Sequence, residues 1–573
     1  MLLTVSLSAT LPLSAASHVD VVKMRTENRV NPLGIGTSTP RFSWQITSDR
    51  KGVVQTSYQI LVASSKEKLD RNEADLWDSG ERKSDEQLWI PYQGKALLSG
   101  TQAYWKVRIT TNKGKSEWPE PQLFTIGLLG ETKWSGTWIG LEDLQPGEQK
   151  GMHTRLAARY IRKDFVAKGK VKRAVAYVAG LGVYEFYVNG QRMGGSQALQ
   201  PAPTDYRKTI YYNTFDVTSL LTEKNAIAIK LGNGRMFPMR LEKAYKTPFF
   251  GYPKCRINVK VEYENGKTET WATNNTWKLN FDGPIRSNNE YDGEEYDARR
   301  EQALKGWTQA GFDDSQWQKA ERCAIPDGTL MAQPMRGMVE KEFGHPVSLK
   351  HRHDTLIVDF GQNMAGWIGF QVRGRQGDTI RVKYAEKLQA DGSLYLDNFR
   401  NALSEDIYVC NGKENGKSWR PAFSYHGFRY AAITGMKNAR KEDFTAYTVS
   451  DEMATIGHIE TSDTILNKVL KNAWWGIYGN YKGMPVDCPQ RNERQPWLGD
   501  RTMGSLGESL VFDNERLYSK WMHDICDAQR SDGNIPDVAP AFWNYYTDDV
   551  TWPAALPFTC DMLYHQFGNK QPI

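Results

Sequence analysis

Between Val486 and Arg501 the chain carries three carboxylates (Asp487, Glu493 and Asp500), three arginines (Arg491, Arg494 and Arg501) and Trp497. Pro489 and Pro496 fix φ and remove backbone donors, so the stretch reads as an ordered, non-helical loop. Carboxylates among arginines beside an aromatic face suit a pocket for a polar, uncharged ring such as a sugar. One carboxylic acid can protonate a leaving oxygen while other polar groups grip hydroxyls. The same composition also describes a surface loop laced with ion pairs, and residue types alone leave both readings open.

The elements around this loop fall into two kinds. From about residue 20 to 450 short runs alternate apolar and polar residues, the period of half-buried strands. Arg41–Ile46, Ser57–Val62 and Ala103–Ile109 predict a first sandwich over 20–130. Ala174–Val178, Val183–Val188 with the turn pair Asn189-Gly190, and Ala226–Leu231 predict a second over 131–338. Thr355–Phe360, Ile380–Tyr384 and Phe428–Ile433 predict a third over 339–452. Beyond 453 the period becomes 3.6. Ile465, Leu466, Val469, Leu470, Ala473, Trp474, Ile477, Tyr478 and Tyr481 predict an amphipathic helix that delivers the chain into the carboxylate loop. Further helices are predicted over 503–512, 515–528 and 552–564, with an aromatic- and Asp-rich loop from Ser531 to Asp549.

Composition narrows the function class. At 573 residues the chain is too long for one core, and 40% apolar with 24% charged residues is ordinary for a globular protein. A formal charge of +6 is spread thinly, which gives no nucleic-acid footprint. No internal stretch is long and apolar enough to span a membrane. Met1–Ala16 reads as the apolar part of a secretory signal without its positive start, so a signal segment over 1–19 and export to the periplasm, cell surface or medium are expected. The six cysteines are scattered and match no disulfide scaffold or zinc spacing, and His351 and His353 suit a polar strand face. No metal and no cofactor is expected. Homodimerisation stays open.

The pattern Asp487-Cys-Pro-Gln-Arg-x-Glu493-Arg-x-x-Trp497-x-Gly-Asp500 resembles the signature of bacterial α-L-rhamnosidases, family 78 of the glycoside hydrolases. Two positions depart from it: Asn492 stands where many members have aspartate, and Pro496 where many have glycine. Segments Asn31–Gly36, Leu199–Tyr206, Gly361–Trp367 and Tyr425–Tyr430 resemble the family as well. The resemblance implies a fibronectin-like sandwich, a jelly-roll module able to hold carbohydrate, a third β-sandwich, and over 453–573 the first part of an (α/α)₆ barrel. Twelve helices of about 11–12 residues each would not fit in that span, so the barrel is expected to be truncated. A complete smaller helical bundle is the other reading.

The resemblance also implies roles. Glu493 matches the general acid of an inverting mechanism. Asp487, Asp500, Trp497 and Arg491 match the sugar-binding set, and Trp552 resembles a second lining aromatic. The general base is a glutamate much further along in the family and is expected to be absent from this chain. The substrate implied is an α-L-rhamnoside, either a glycoside or a polysaccharide. Two rivals remain: a carbohydrate-binding or scaffold protein with a vestigial catalytic region, and a glycosidase of this architecture acting on another sugar.

Overall fold

Alternating side chains build strands at the predicted places. The computed structural model describes residues 19–237, 250–414, 416–436, 438–547 and 549–572. The signal segment expected over 1–19 lies almost wholly outside the described residues. The chain divides into two units, Met1–Ile126 and Gly127–Ile573.

In the first unit, Val19–Thr26 pairs with Arg41–Ser48 and that strand with Ile90–Pro91. A second sheet is built on Gln55–Ala63 and Gln102–Thr111, with helix α1 (Lys66–Asp70) on its flank. The inward residues Phe42, Trp44, Ile60, Trp105 and Phe124 are fully or almost fully buried. The Phe42 and Trp105 rings lie 4.4 Å apart. This is the predicted sandwich.

The second unit holds the other two β regions and the C-terminal helices. Its first two sheets are built around Arg159–Val166, Val183–Val188 and Lys224–Gly232 on one side, and Val171–Leu181, Thr209–Asp216 and Lys254–Tyr263 on the other. Ile161, Val178, Phe186, Ile229, Ile257 and Trp277 belong to one core. Asn189 and Gly190 both take positive φ (48° and 84°), the geometry of a tight hairpin turn. The third sheet has ten strands, centred on Thr355–Gln371, His426–Thr434 and Thr379–Ala385. It also recruits Ile285–Asn289 and Gly293–Asp297, which lie in the sequence of the second region.

Glu294, on one of those recruited strands, is buried, and its Oε2 accepts from the N–H of Ala422 (3.1 Å) and Phe423 (3.0 Å). Burial pushes its pKa from the ordinary 4.5 up to about 8. The folded state therefore holds a proton that the unfolded chain releases between these values. The Glu294 contribution to stability is greatest below about pH 4.5, falls as pH rises towards 8, and is flat above. Glu294→Gln is expected to flatten that slope, raising the unfolding midpoint at pH 9 while leaving pH 5 nearly unchanged. Denaturant titrations of both proteins at the two pH values check this.

Helix α2 (Thr464–Gly479) starts where predicted, capped by Asp463, whose Oδ1 accepts from the N–H of Ile465 (2.7 Å) and Leu466 (3.1 Å). Its first turns are less buried than the pattern implied, with Ile465 71% and Val469 56% exposed. Of the helix predicted over 503–512 only the short α4 (Ser505–Ser509) forms, preceded by a separate short α3 (Gly499–Thr502). Gly504, between the two, makes a continuous helix there expensive in backbone entropy. Helix α5 (Glu515–Ala528) matches its predicted span, and α6 (Ala555–Phe567) begins three residues late. Among the described residues no helix is long and apolar enough to cross a membrane.

Candidate active site

The loop after α2 is held shut by its own backbone. Asp487 N–H donates to the Gln495 carbonyl (2.9 Å), and Gln495 N–H donates to Asp487 Oδ1 (2.6 Å). Inside that ring Arg494 takes φ 52° and is completely buried. Its guanidinium donates to the carbonyls of Tyr425 (2.8 Å), Gln490 (3.3 Å) and Arg491 (3.1 Å), and lies 4.5 Å from the Tyr425 ring centre. Arg494 therefore serves backbone oxygens and no carboxylate. The carbonyl of Glu493 accepts from Tyr291 Oη (2.9 Å) and Gln495 Nε2 (2.6 Å), and that of Arg494 from Arg235 (2.7 Å). Residues more than 200 positions upstream thus fix the backbone under the proposed acid.

The Glu493 side chain is only 11% exposed. Its Oε1 accepts from Trp497 Nε1 (3.1 Å). Its Oε2 accepts from Arg491 Nε (2.9 Å) and pairs with Arg400 Nη1 (3.0 Å). Arg491 also reaches Asp487 Oδ2 at 3.2 Å, so one guanidinium bridges two carboxylates. Burial raises the Asp487 pKa above the usual carboxylate value, and the nearby Glu493 charge adds to the shift. Arg491 thus serves Glu493 and Asp487 together. Asp500 lies exposed in the first turn of α3, and Trp552 packs so closely on Gly499 that a Cβ there would lie 2.4 Å from its indole. Trp497 stacks on Tyr545 (5.8 Å between centroids) and meets Trp543 edge-on (5.7 Å). The structure thus places all six named residues on or against one loop.

Asp487, Cys488 and Glu493 bring potential ligand atoms within 4.8 Å of one another. The Arg491 guanidinium already occupies both carboxylates, and burial keeps the Cys488 thiol protonated by pushing its pKa up. The cluster is an ion-pair and hydrogen-bond network rather than a donor set arranged for a cation.

Sequence reasoning missed Arg400 and Asn401. They follow the short helical turn Asp397–Phe399 in the third β region, and Asn401 meets Asn492 side chain to side chain. No local pattern marks either residue. Trp543 and Tyr545 carried a weak signal, as members of the aromatic-rich loop after α5.

Four family descriptions match in succession: a Rha78A-like N-terminal immunoglobulin domain (21–130), an α-L-rhamnosidase N-terminal domain (169–342), a bacterial α-L-rhamnosidase concanavalin-like domain (349–450) and a bacterial α-L-rhamnosidase 6 hairpin glycosidase domain (454–573). An α-L-rhamnosidase of Formosa agariphila is 34% identical over 537 residues, covering 89% of this chain and 56% of its own length. One from Alteromonas is 33% identical, covering 95% and 60%. The solved α-L-rhamnosidase from the Dictyoglumus species thermophilum superposes with a TM-score of 0.89 at 34% identity, over 96% of this chain and 62% of that one. The Streptomyces avermitilis enzyme, solved with L-rhamnose, gives 0.89 at 26% identity over 97% and 69%. The chain spans 56% and 60% of the length of the first two of these relatives. With every β region and the helical region matched in order, the chain belongs to the bacterial α-L-rhamnosidases, glycoside hydrolase family 78.

Proposed function

We propose that the protein releases terminal α-L-rhamnose from rhamnosides or rhamnose-containing polysaccharides, with inversion at the anomeric carbon. Glu493 protonates the glycosidic oxygen as the bond to the anomeric carbon breaks, and Asp487 and Asp500 hold ring hydroxyls and face the oxocarbenium-like charge. Trp497 and Trp552 line the ring, and Arg491 orients Glu493 and Asp487 together. The observation that carries this reading is the buried Glu493 carboxylate, held on both oxygens by Trp497, Arg491 and Arg400 within the family's motif.

The base is not assigned to any described residue. An inverting pair stands about 6.5–9.5 Å apart to admit a water. Asp487 has an oxygen within 4.8 Å of Glu493, too close for that role. Helices α2 to α6 are proposed to belong to an (α/α)₆ barrel, and export rests on the apolar run Met1–Ala16.

The test is a panel of aryl glycosides, with the released sugar followed by proton NMR. Turnover confined to α-L-rhamnosides, with β-L-rhamnose appearing first, is the expected result. Preference for another sugar would replace the substrate, and first appearance of the α anomer would replace the mechanism. Sugar binding without turnover in a chain that also retains its binding after Glu493→Gln would favour a binding protein.

A further inference from the structure

A cavity of about 390 Å³ lies beside the loop that carries Glu493, walled by α2 on one side and strand Thr355–Gln371 on the other. That strand is irregular there: its register against His426–Thr434 shifts between Asp359 and Met364, which turns Gln362 and Asn363 out into the cavity wall. The volume falls in the range of ligand pockets, roughly 300–1,000 Å³.

The wall has a consistent chemistry. Gln362, Asn363, Asn472 and Asn480 supply amides, Trp475 an indole and Glu386 a carboxyl group, while no lysine or arginine is among the described lining residues. Each amide both donates and accepts, as a sugar hydroxyl does, and an indole offers a flat apolar surface to ring C–H bonds. Glu386 accepts from Asn363 Nδ2 (2.9 Å) and Asn398 Nδ2 (2.9 Å), and burial raises its pKa.

The cavity is also stitched to the acid. Pro489, four residues before Glu493, forms part of its wall. Across from it, the segment 398–401 touches both places: Asn398 holds Glu386, Arg400 pairs with Glu493 at 3.0 Å and Asn401 meets Asn492. Arg400 keeps φ 58°, ψ −116°, a strained conformation for a side-chain-bearing residue, and remains about half exposed.

We propose that this cavity is a leaving-group subsite, receiving a neutral, hydroxyl-rich sugar to which the rhamnose is attached, with residues 398–401 as the track between it and Glu493. The proposal rests on the assignment of Glu493 made above.

Gly476 gives the test. It sits on the cavity face of α2, contributes no binding group, and a Cβ there meets nothing within 4 Å. Gly476→Phe would plug the space, and removing a mid-helix glycine favours the helix. Gly476→Ala serves as the size control. Calorimetry in a Glu493→Gln background would compare L-rhamnose, an α-L-rhamnosyl-terminated neutral trisaccharide, and its analogue with a uronic acid next to rhamnose. The neutral trisaccharide should bind about tenfold tighter than rhamnose, an advantage worth one or two good contacts. Gly476→Phe should erase that advantage and leave rhamnose affinity unchanged, and Gly476→Ala should keep it. Equal advantage in Gly476→Phe and its parent overturns the subsite, and tighter binding of the acidic analogue overturns its ligand class. Protein with Glu493 intact that binds no rhamnose at all overturns the sugar-site reading, and this proposal falls with it.

Discussion

Glu493→Gln should lower kcat on rhamnosides with sugar or alkyl leaving groups by about 10²- to 10⁴-fold, the usual contribution of a positioned general acid. The loss should shrink steeply for nitrophenyl rhamnosides, whose leaving oxygen departs without a proton. That dependence on leaving group separates an acid from a residue that merely binds sugar, for which the loss would be uniform. Glutamine is also a poor tenant here. Its single carbonyl oxygen cannot serve Trp497 on one side and the two guanidiniums of Arg491 and Arg400 on the other, as the Glu493 carboxylate does. KM should therefore change as well. Steady-state kinetics over a series of leaving groups checks the prediction, and an even loss across the series would remove Glu493 from the acid role.

Arg501→Leu should destabilise the second unit by about 3–5 kcal/mol, the cost of stranding a buried charge. Arg501 Nη1 donates to Glu508 Oε1 (2.5 Å) and Nη2 to the Val486 carbonyl (2.8 Å). Glu508 Oε2 accepts from the hydroxyls of Tyr481 (2.6 Å) and Tyr518 (2.5 Å). All of these groups are buried or nearly so, and the network joins α4, α5 and the residue that opens the active-site loop. Truncation at Arg501 leaves Glu508 without its cation and the Val486 carbonyl short of a donor. Adding Glu508→Leu should restore part of the loss, because removing both members of a buried pair costs less than removing one. Urea unfolding of the single and double variants measures both effects. A single variant as stable as the parent would mean that water satisfies Glu508.

The legible parts of the chain were those decided by near neighbours. The Asn189-Gly190 turn needs positive φ at two successive residues, and that preference is written in the residue types. Helix α5 was legible because its apolar stripe is buried along its whole length. The first turns of α2 carry an equally clear stripe yet stand exposed, since periodicity shows which residues share a face and not what covers it. Strands Ile285–Asn289 and Gly293–Asp297 join the third sheet through the pairing of Gly293–Asp297 with Glu405–Val409, about a hundred residues later, which no local pattern encodes. The same limit applies at the site. The motif named Glu493, Asp487, Arg491, Trp497 and Asp500, all within one loop. Arg400, Tyr291 and Arg235 reach that loop from distant strands and turns, and no spacing could have nominated them.

The buried Arg494 ties the motif to the third sheet through the Tyr425 carbonyl and ring, while Tyr291 and Arg235 tie it to the second β region. The boundary drawn near residue 453 is therefore a seam in the sequence but not in the machine. A chimera that grafted a relative's helical region onto these strands would inherit every residue of the motif and lose the partners that hold its backbone. Variation within such a family should then travel in matched sets, with a change at Tyr425, Tyr291 or Arg400 answered by one in the loop, and recombination at the seam should be selected against.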